Sequence, residues 1–214
     1  MNKEKLNEIS DHTVKRYSGR YNEFKKDIKT LGWGSIEQQE HRFKNVLKHL
    51  DLEGKSILDI GCGFGDLYNY LAKNNHSFSK YIGWDITPDF INDSSIKDKT
   101  VTLEVKNISI DKIDKPVADI GIMLGLLNWK FKTKEENIAY SLKMITNALK
   151  TVNDVLVVDF LSTNYSPDYP VEDFVFYHNP MEMFELLHKI TPNIDLIHSY
   201  KPVPQKEFLL YIYK

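Results

Sequence analysis

Residues 57–67, with the sequence ILDIGCGFGDL, restrict the fold of this 214-residue chain more than any other segment. Ile57, Leu58 and Ile60 form a short apolar run that is typical of a buried parallel strand. Glycines then follow at alternate positions, and the apolar residues after them return at helical spacing. The segment therefore predicts a strand, a glycine-rich turn and the beginning of a helix, which together form a nucleotide-binding loop.

The acidic residues around these glycines indicate which kind of ligand fits the turn. In a dinucleotide fingerprint the third glycine stands three residues after the second, and a pyrophosphate lies on the helix N-terminus. Here Gly63 is followed by Gly65, one residue early, and Asp66 occupies the expected glycine position. Asp66 would repel a pyrophosphate, and Asp59 brings a second carboxylate to the turn. We therefore predict a ligand that carries positive charge at this loop.

The segment DIGCGFG, residues 59–65, resembles motif I of the class I S-adenosylmethionine-dependent methyltransferases, whose cofactor carries an ammonium and a sulfonium but no phosphate. A second predicted strand ends in Asp85, 24 residues after Gly61, where a carboxylate can accept both hydroxyls of a ribose. The resemblance implies S-adenosylmethionine as cofactor and S-adenosylhomocysteine as product. The cofactor contacts that it implies are Asp59, Gly61, Gly63, Phe64, Gly65, Asp85, Ile86, Asn107, Ile108, Leu124, Trp33 and Gln39.

Short apolar runs alternate with helical patterns from residue 55 onward, as expected for a βαβ array. The resemblance implies an α/β, Rossmann-like fold with a seven-stranded, mostly parallel sheet, a C-terminal antiparallel hairpin and an N-terminal helical arm. Capping boxes at Ser35 and Thr133, and the pair Asn179-Pro180, predict three helix starts. The predicted strands are 57–60, 81–85, 102–106, 117–124, 155–160, 195–200 and 207–213, the last two joined by a proline-containing turn. The residues predicted to face the core are Phe43, Val46, Leu47 and Leu50 in the helix after Ser35, Ile138, Leu142, Ile145 and Leu149 in the helix after Thr133, and Phe184, Leu187 and Ile190 in the helix after Asn179.

We divide the chain into an N-terminal helical arm or lid, residues 1–50, and a cofactor-binding core, residues 51–214, within one domain. Trp33 lies between two glycines and is not explained by a helical pattern. In the smaller methyltransferases such an arm covers the cofactor and forms one wall of the substrate pocket. The GWGS segment with Gln39 and Arg42 resembles small bacterial O-methyltransferases of phosphonates or phosphoramidates.

Positive charge is concentrated in this arm. The first 50 residues contain 11 lysines and arginines but 7 acidic residues, although the whole chain has a net charge of −2. All three arginines, Arg16, Arg20 and Arg42, lie there. Arginine captures carboxylates and phosphates in bidentate fashion, so we predict an anionic substrate group, with a solvated helical face as the alternative. The predicted substrate contacts are Arg16, Tyr17, Arg20, Tyr21, Arg42, Asn128, Tyr165 and Tyr169.

Methyl transfer from a sulfonium is an in-line displacement with an activated leaving group, so alignment of nucleophile and methyl is the main requirement. A general base is needed only when the acceptor is protonated, and no spacing selects one among His178, Tyr177, Tyr165 and His12. We predict O-methylation of a small anionic metabolite of the phosphonate, phosphoramidate or carboxylate type. N-methylation of a small amine and a non-catalytic cofactor-binding module are the alternatives.

Other functions are disfavoured by composition. No apolar run approaches the roughly 18 residues of a membrane span, and the N-terminus lacks the apolar core of a signal peptide. The seven histidines show no zinc-type pairing, and the fourth predicted strand ends without the acid that a catechol-type magnesium site needs. With a pI of about 6.4, nucleic acid is not an expected partner. The missing zinc and magnesium patterns lead us to expect a metal-independent enzyme. The single cysteine, Cys62, permits no internal disulfide, so we expect a cytoplasmic location.

Overall fold

The computed structural model describes residues 1–202 and 204–214, which fall into two compact units, Met1–Lys112 and Ile113–Lys214. The strands form one mixed sheet that is mostly parallel with an antiparallel C-terminal pair, which confirms the predicted α/β fold. The elements of the first unit are α1 (Lys3–Phe24), a 3₁₀ helix (Ile28–Leu31), α2 (Ile36–Leu47), β1 (Ser56–Ile60), α3 (Asp66–Lys73), β2 (Lys80–Asp85), α4 (Pro88–Asn92) and β3 (Val101–Val105). Those of the second are β4 (Ala118–Met123), α5 (Lys134–Leu149), β5 (Val152–Leu161), α6 (Pro180–His188), β6 (Ile194–Ile197) and β7 (Glu207–Tyr213).

In the first unit β2 lies between β1 and β3, and all three strands are parallel. The apolar run predicted for β1 is fully buried at Ile57 and Leu58. Asp59 pairs with Gly83 on β2. No side chain fits at position 83, because a Cβ added to Gly83 would lie 2.6 Å from the Leu103 side chain and 2.9 Å from the Cys62 sulfur. Because the three strands are parallel, their carboxyl ends lie on one edge, where the loops that follow them meet.

In the second unit β5 pairs in parallel with β4 and antiparallel with β7, and β6 pairs antiparallel with β7. Strand β5 is longer than predicted, and its residues from Val155 to Leu161 are buried. The predicted hairpin of the last two strands is confirmed, although β6 ends at Ile197 rather than residue 200. Its connecting turn includes Val203, which lies outside the described residues.

The predicted apolar faces of the two later helices were partly wrong. In α5 the buried residues are Asn137, Ser141, Met144, Ile145, Ala148 and Leu149, whereas Ile138 and Leu142 are only half-buried. Polar residues are tolerated there because Asn137 donates to the Trp129 carbonyl (2.6 Å) and accepts from the Phe131 amide (3.0 Å). In α6 the fully buried residues are Met183 and Leu187, and Phe184 is half-buried. Ile190 is 48% exposed because the helix ends two residues earlier.

The predicted arm, residues 1–50, belongs to the same compact unit as β1, β2 and β3, so the division at residue 50 stays a prediction. In this arm Ser35 caps the N-terminus of α2, as predicted, and the helix buries Phe43, Val46 and Leu47. Leu50 lies beyond the end of α2 and is half-buried. Within the described residues, no helix has both the length and the apolar character needed to cross a membrane.

Candidate active site

The glycine turn after β1 is held in a conformation that only glycine adopts easily. The backbone φ angles of Gly61, Gly63 and Gly65 are +80°, +55° and +89°, in the left-handed region. The amides of Gly61 and Cys62 both donate to the carbonyl of Trp84, at 2.7 and 3.0 Å. These bonds fix the turn to the end of β2 and lead the chain into α3.

Asp85, at the end of β2, binds this turn directly. One carboxylate oxygen accepts from the amide of Gly63 at 3.0 Å and the other from the amide of Thr87 at 2.8 Å. The side chain is 8% exposed, and burial raises its pKa, although the hydrogen bonds from Thr87 and Gly63 oppose that rise. A carboxylate has about four lone-pair positions, so Asp85 keeps capacity for the two hydroxyls of a ribose.

Two further carboxylates lie beside the turn. Asp59 is 5% exposed and accepts a hydrogen bond from the hydroxyl of Tyr81. The pKa of Asp59 is raised to about 7. Burial is the main cause, the bond from Tyr81 opposes the rise, and the charges of Asp85 and Asp66 add to it. Asp66 accepts from the Gln39 side-chain amide at 3.1 Å, which places the buried Gln39 of α2 at the loop.

Asp59, Asp66 and Asp85 form what we call the carboxylate cluster. The charges of Asp66 and Asp85 both raise the pKa of Asp59, so the three carboxylates share one electrostatic environment around the glycine turn. A cationic ammonium or sulfonium fits such an environment, and a pyrophosphate does not. The residues present therefore fit S-adenosylmethionine, whose ribose Asp85 would hold and whose positive charges the cluster would stabilise.

Helix α1 packs on the loops that follow β1 and β2. Phe64 of the glycine turn contacts Phe90 of α4 with ring centroids 4.8 Å apart, and Tyr21 lies 6.2 Å from Phe64. Tyr17 contacts Phe90 edge to face at 5.9 Å. Burial raises the pKa of Tyr17, Arg16 opposes that rise, and the charge of Asp85 adds to it. The predicted contacts Tyr17, Tyr21 and Phe64 are thus brought together beside Asp85.

The three arginines have different environments. Arg20 donates to the carbonyls of Thr30, at 3.1 Å, and Lys29, so its guanidinium stabilises the 3₁₀ helix. This use argues against Arg20 as a substrate contact. Arg16 is half-buried, and burial lowers its pKa, Tyr17 raises it and the charge of Arg20 lowers it again.

Arg42 explains the position of Trp33. The guanidinium carbon of Arg42 lies 4.3 Å from the centre of the Trp33 ring, a cation–π contact between α2 and the segment before it. Neither residue shows a contact that assigns it to cofactor or substrate, so those roles stay predictions.

The loop after β3 begins with Asn107, whose side-chain nitrogen donates to the Ser10 hydroxyl of α1 at 2.8 Å. Ile108 is 5% exposed, and Ile86, after Asp85, is half-buried. Helix α1 therefore contacts the loops after all three strands of its unit. Asn107 and Ile108 are predicted cofactor contacts, but the sequence does not predict the bond from Asn107 to Ser10 because the two residues are 97 positions apart.

In the second unit, hydrogen bonds connect the loop after β4 with the last residues of β5 and with the loop that follows β5. The amide of Gly125, next to Leu124, donates to Asp159 at 2.6 Å. The side-chain oxygen of Asn128 accepts from the amide of Leu161 at 3.1 Å, and its carbonyl accepts from the amide of Phe176 at 2.9 Å. Asn128 therefore has a clear structural role, and its predicted contact with substrate stays a prediction.

A small open recess of about 10 Å³, room for about one water molecule, lies in the loop after β5. Tyr165 and Tyr177 meet edge to face there at 5.1 Å, and the Tyr177 hydroxyl accepts from the Glu172 amide at 3.1 Å. Tyr165 is 52% exposed, whereas burial raises the pKa of Tyr177. The lining residues are Ser162, Tyr165, Ser166, Tyr169, Pro170, Val171, Tyr177, Gln205 and Lys206.

The four predicted bases occupy very different positions. His178 is fully buried between Phe160 and Phe176, at 4.8 and 4.6 Å, and its Nε2 lies 3.0 Å from the Ser141 hydroxyl. Burial lowers its pKa to about 3. A neutral histidine in this position is a core residue, and its burial argues against a role as general base. His12 is exposed on α1, and it stays a predicted candidate with Tyr165 and Tyr177.

Comparison with known proteins supports the interpretation of the loop. Residues 58–155 match a family model described as a methyltransferase domain. No curated protein matches the chain. Among solved structures, magnesium protoporphyrin IX methyltransferase from Synechocystis PCC 6803, with bound S-adenosylmethionine, is 14% identical with a TM-score of 0.65, over 98% of this chain and 96% of that one.

Two other structures with the same fold are methyltransferases whose names give different substrates. Phosphoethanolamine N-methyltransferase 1 from Haemonchus contortus is 13% identical with a TM-score of 0.66, over 97% of this chain and 50% of that one. The small RNA methyltransferase HEN1 is 17% identical with a TM-score of 0.61, over 85% of this chain and 26% of that one. Residues 58–155 therefore match a methyltransferase domain, and the chain has the fold of these S-adenosylmethionine-dependent methyltransferases. The Synechocystis enzyme has been solved with bound S-adenosylmethionine and with bound S-adenosylhomocysteine, which are the cofactor and product predicted for this chain. Among the described residues no cluster of three His, Cys, Asp or Glu suits a metal ion.

Proposed function

We propose that this enzyme methylates an oxygen of a small anionic acceptor of the phosphonate, phosphoramidate or carboxylate type. The observation that carries the proposal is the placement of Arg16. Its guanidinium is half-buried on α1, next in sequence to Tyr17, whose pKa responds to the charge of Asp85. A guanidinium that loses hydration beside the cofactor loop is well placed to bind an anion.

Methyl transfer requires little of the protein beyond the orientation of the acceptor oxygen toward the methyl group. S-adenosylmethionine, when bound, supplies a methyl group on an activated sulfonium leaving group. An ionised phosphonate or carboxylate oxygen is already a nucleophile, so no side chain has to remove a proton. Arg16 would hold the anion, and Tyr17 and Tyr21 would limit its approach. The burial of His178 supports a reaction without a histidine base.

The test is an acceptor screen with S-adenosylhomocysteine release as the readout, covering phosphonates, phosphates, carboxylates, amines and phenols. For the best acceptor, Arg16→Ala should lower kcat/KM by roughly 30- to 150-fold, corresponding to about 2 to 3 kcal/mol, with cofactor affinity nearly unchanged. Arg16→Lys should rescue poorly because an ammonium lacks the bidentate geometry. Lys15→Ala, an exposed neighbour of the same charge, is the matched control.

Activity confined to amines or phenols, with Arg16→Ala unimpaired, would contradict the anionic acceptor. It would leave the methyltransferase class intact. The pH profile gives an independent check, because the rate should be flat above the pKa of the acceptor itself if no enzyme base is involved.

A second candidate is N-methylation of a small amine. The observation that favours it is the exposed Tyr165 ring beside the recess in the second unit, since an aromatic face attracts ammonium groups and Tyr177 holds this ring by an edge-to-face contact. Tyr165→Ala and Tyr177→Phe should then raise KM for an amine acceptor, the first more than the second, because phenylalanine keeps the aromatic face. Unchanged KM in Tyr165→Ala would remove the support for this candidate.

A further inference from the structure

The hydrogen bonds around Asn107 fix which end of its carboxamide faces which neighbour. The backbone amide of Ser109 lies 3.0 Å from Oδ1, and a backbone N–H can only donate, so that atom is the oxygen. The Ser109 hydroxyl also contacts Oδ1, at 2.6 Å. The nitrogen Nδ2 therefore faces the hydroxyl of Ser10, at 2.8 Å.

Ser10 is constrained in the same way. Its hydroxyl proton is donated to the carbonyl of Leu6 at 2.7 Å, one turn earlier in α1, so its oxygen must accept from Asn107. Ser10 is 8% exposed, whereas Asn107 is half-buried and reachable by a ligand. Within the described residues, Oδ1 already accepts two bonds and one of the two N–H groups of Nδ2 is used. What Asn107 can offer a ligand is the remaining N–H donor.

Asn107 lies next to the predicted ribose site. Val105 pairs with Asp85 across β3 and β2, and the amide of Lys106 donates to the carbonyl of Asp85 at 2.9 Å. A nucleoside whose ribose is held by Asp85 at the end of one strand can place its base at the end of the neighbouring strand. The base of the cofactor is adenine, which has a 6-amino donor and ring nitrogens that accept.

We propose that Ser10 and Ser109 orient Asn107 as a hydrogen-bond donor to a ring nitrogen of adenine. Ser10 is then a positioning residue on the N-terminal arm, and it makes cofactor recognition depend on α1. The inference rests on the cofactor assignment and the predicted place of Asn107, and it is independent of the acceptor. Binding measurements without any acceptor therefore test it separately from the proposed function.

The experiment measures, by calorimetry, the affinity of the full chain for S-adenosylhomocysteine and for its 1-deaza, 3-deaza and 7-deaza analogues, each of which lacks one ring nitrogen. One analogue should bind wild type roughly 5- to 10-fold more weakly than the parent. Ser10→Ala should weaken the binding of the parent ligand, S-adenosylhomocysteine, by a similar factor, and it should not change the affinity for the weakly bound deaza analogue. Ser10→Thr keeps the hydroxyl and should therefore bind the parent ligand as wild type does.

Thr13→Ala is the matched control, because the Thr13 hydroxyl bonds the Ile9 carbonyl at 2.8 Å in the same way as Ser10 bonds Leu6, with no contact to Asn107. It should leave all four affinities unchanged. Equal weakening of all four ligands in Ser10→Ala would indicate a merely structural role and overturn the proposal. So would equal binding of the four ligands by wild type, or an Asn107→Asp variant that binds the parent as tightly as wild type, since an ionised aspartate cannot donate.

Discussion

Replacement of Asp85 should affect both folding and cofactor binding, because its carboxylate has two sets of partners. Without the cofactor it accepts from the buried amides of Gly63 and Thr87. Asp85→Ala would leave both N–H groups without an acceptor, at a cost of roughly 1 to 3 kcal/mol each. The variant also recovers the free energy spent on burying a carboxylate, whose pKa burial raises. We expect a net loss of about 2 kcal/mol in unfolding free energy.

Binding should weaken by a comparable amount. Charge-assisted hydrogen bonds to the ribose are lost in Asp85→Ala, and about 2 kcal/mol corresponds to roughly 30-fold in affinity for S-adenosylhomocysteine. Asp85→Asn keeps one acceptor oxygen, so it should restore part of the stability while binding remains weak. Urea unfolding of the ligand-free protein and calorimetry with S-adenosylhomocysteine measure the two effects separately.

The control is Asp98→Ala. Asp98 accepts from the amide of Thr100 at 2.8 Å, the same i to i+2 turn as Asp85 with Thr87, but it is exposed. Water can replace its oxygen, so little change is expected in stability or binding. Normal affinity in an unstable Asp85→Ala protein would show that Asp85 only supports the loop. A fully stable variant that binds weakly would refute the inference that it holds Gly63.

Three further predictions concern the same structure. Because the pKa of Asp59 is raised to about 7 in the folded state, the contribution of Asp59 to the unfolding free energy should be fully present below pH 4 and be lost as pH rises to 7. This contribution amounts to up to about 4 kcal/mol, and urea unfolding of Asp59→Asn should lack it. Gly65→Ala should lose at least about 1 to 2 kcal/mol of unfolding free energy, because φ is +89° and a Cβ would lie 2.4 Å from the Ile96 side chain. The control Gly19→Ala, within α1 and with open space around it, should gain about 1 kcal/mol. An unchanged stability of Gly65→Ala would contradict the first prediction. Because burial lowers the pKa of His178 to about 3, the contribution of His178 to the unfolding free energy is present above pH 6.5 and lost as pH falls toward 3. His178→Gln should remove that loss at low pH and leave the pH profile of kcat/KM unchanged. A stable but inactive variant would make His178 a candidate base again.

The features predicted correctly from sequence are those whose causes are local. The predicted caps at Ser35, Thr133 and Asn179 are present, with side-chain oxygens accepting from the amides of Gln38 (3.2 Å), Glu136 (3.1 Å) and Met181 (3.0 Å). A capping residue and its partner are two or three positions apart, so residue type and spacing are sufficient to identify them. The glycine turn is of the same kind, because the need for left-handed backbone restricts the choice of residue.

Long-range polar pairs could not be predicted in this way. Ser10 with Asn107 and Gly63 with Asp85 depend on how separate elements pack, and no periodicity in the sequence connects them. The arginines illustrate the same limit. Sequence treats Arg16, Arg20 and Arg42 as equivalent cations, whereas in the structure one is half-buried, one binds backbone carbonyls and one lies over a tryptophan. A sequence shows which residues carry charge, but it does not show which groups each charged side chain contacts in the fold.

Long-range contacts of this kind connect helix α1 of the predicted N-terminal arm to the loops after three strands. Helix α1 contacts Phe64 after β1, Phe90 after β2 and Asn107 after β3, so each loop of the predicted cofactor site has a contact with the same helix. A ligand that orders any one of these loops changes the surface on which α1 packs, and displacement of α1 removes a contact from all three. A cofactor that changes these loops is therefore thermodynamically linked to the packing of α1, and the coupling free energy is the same in both directions.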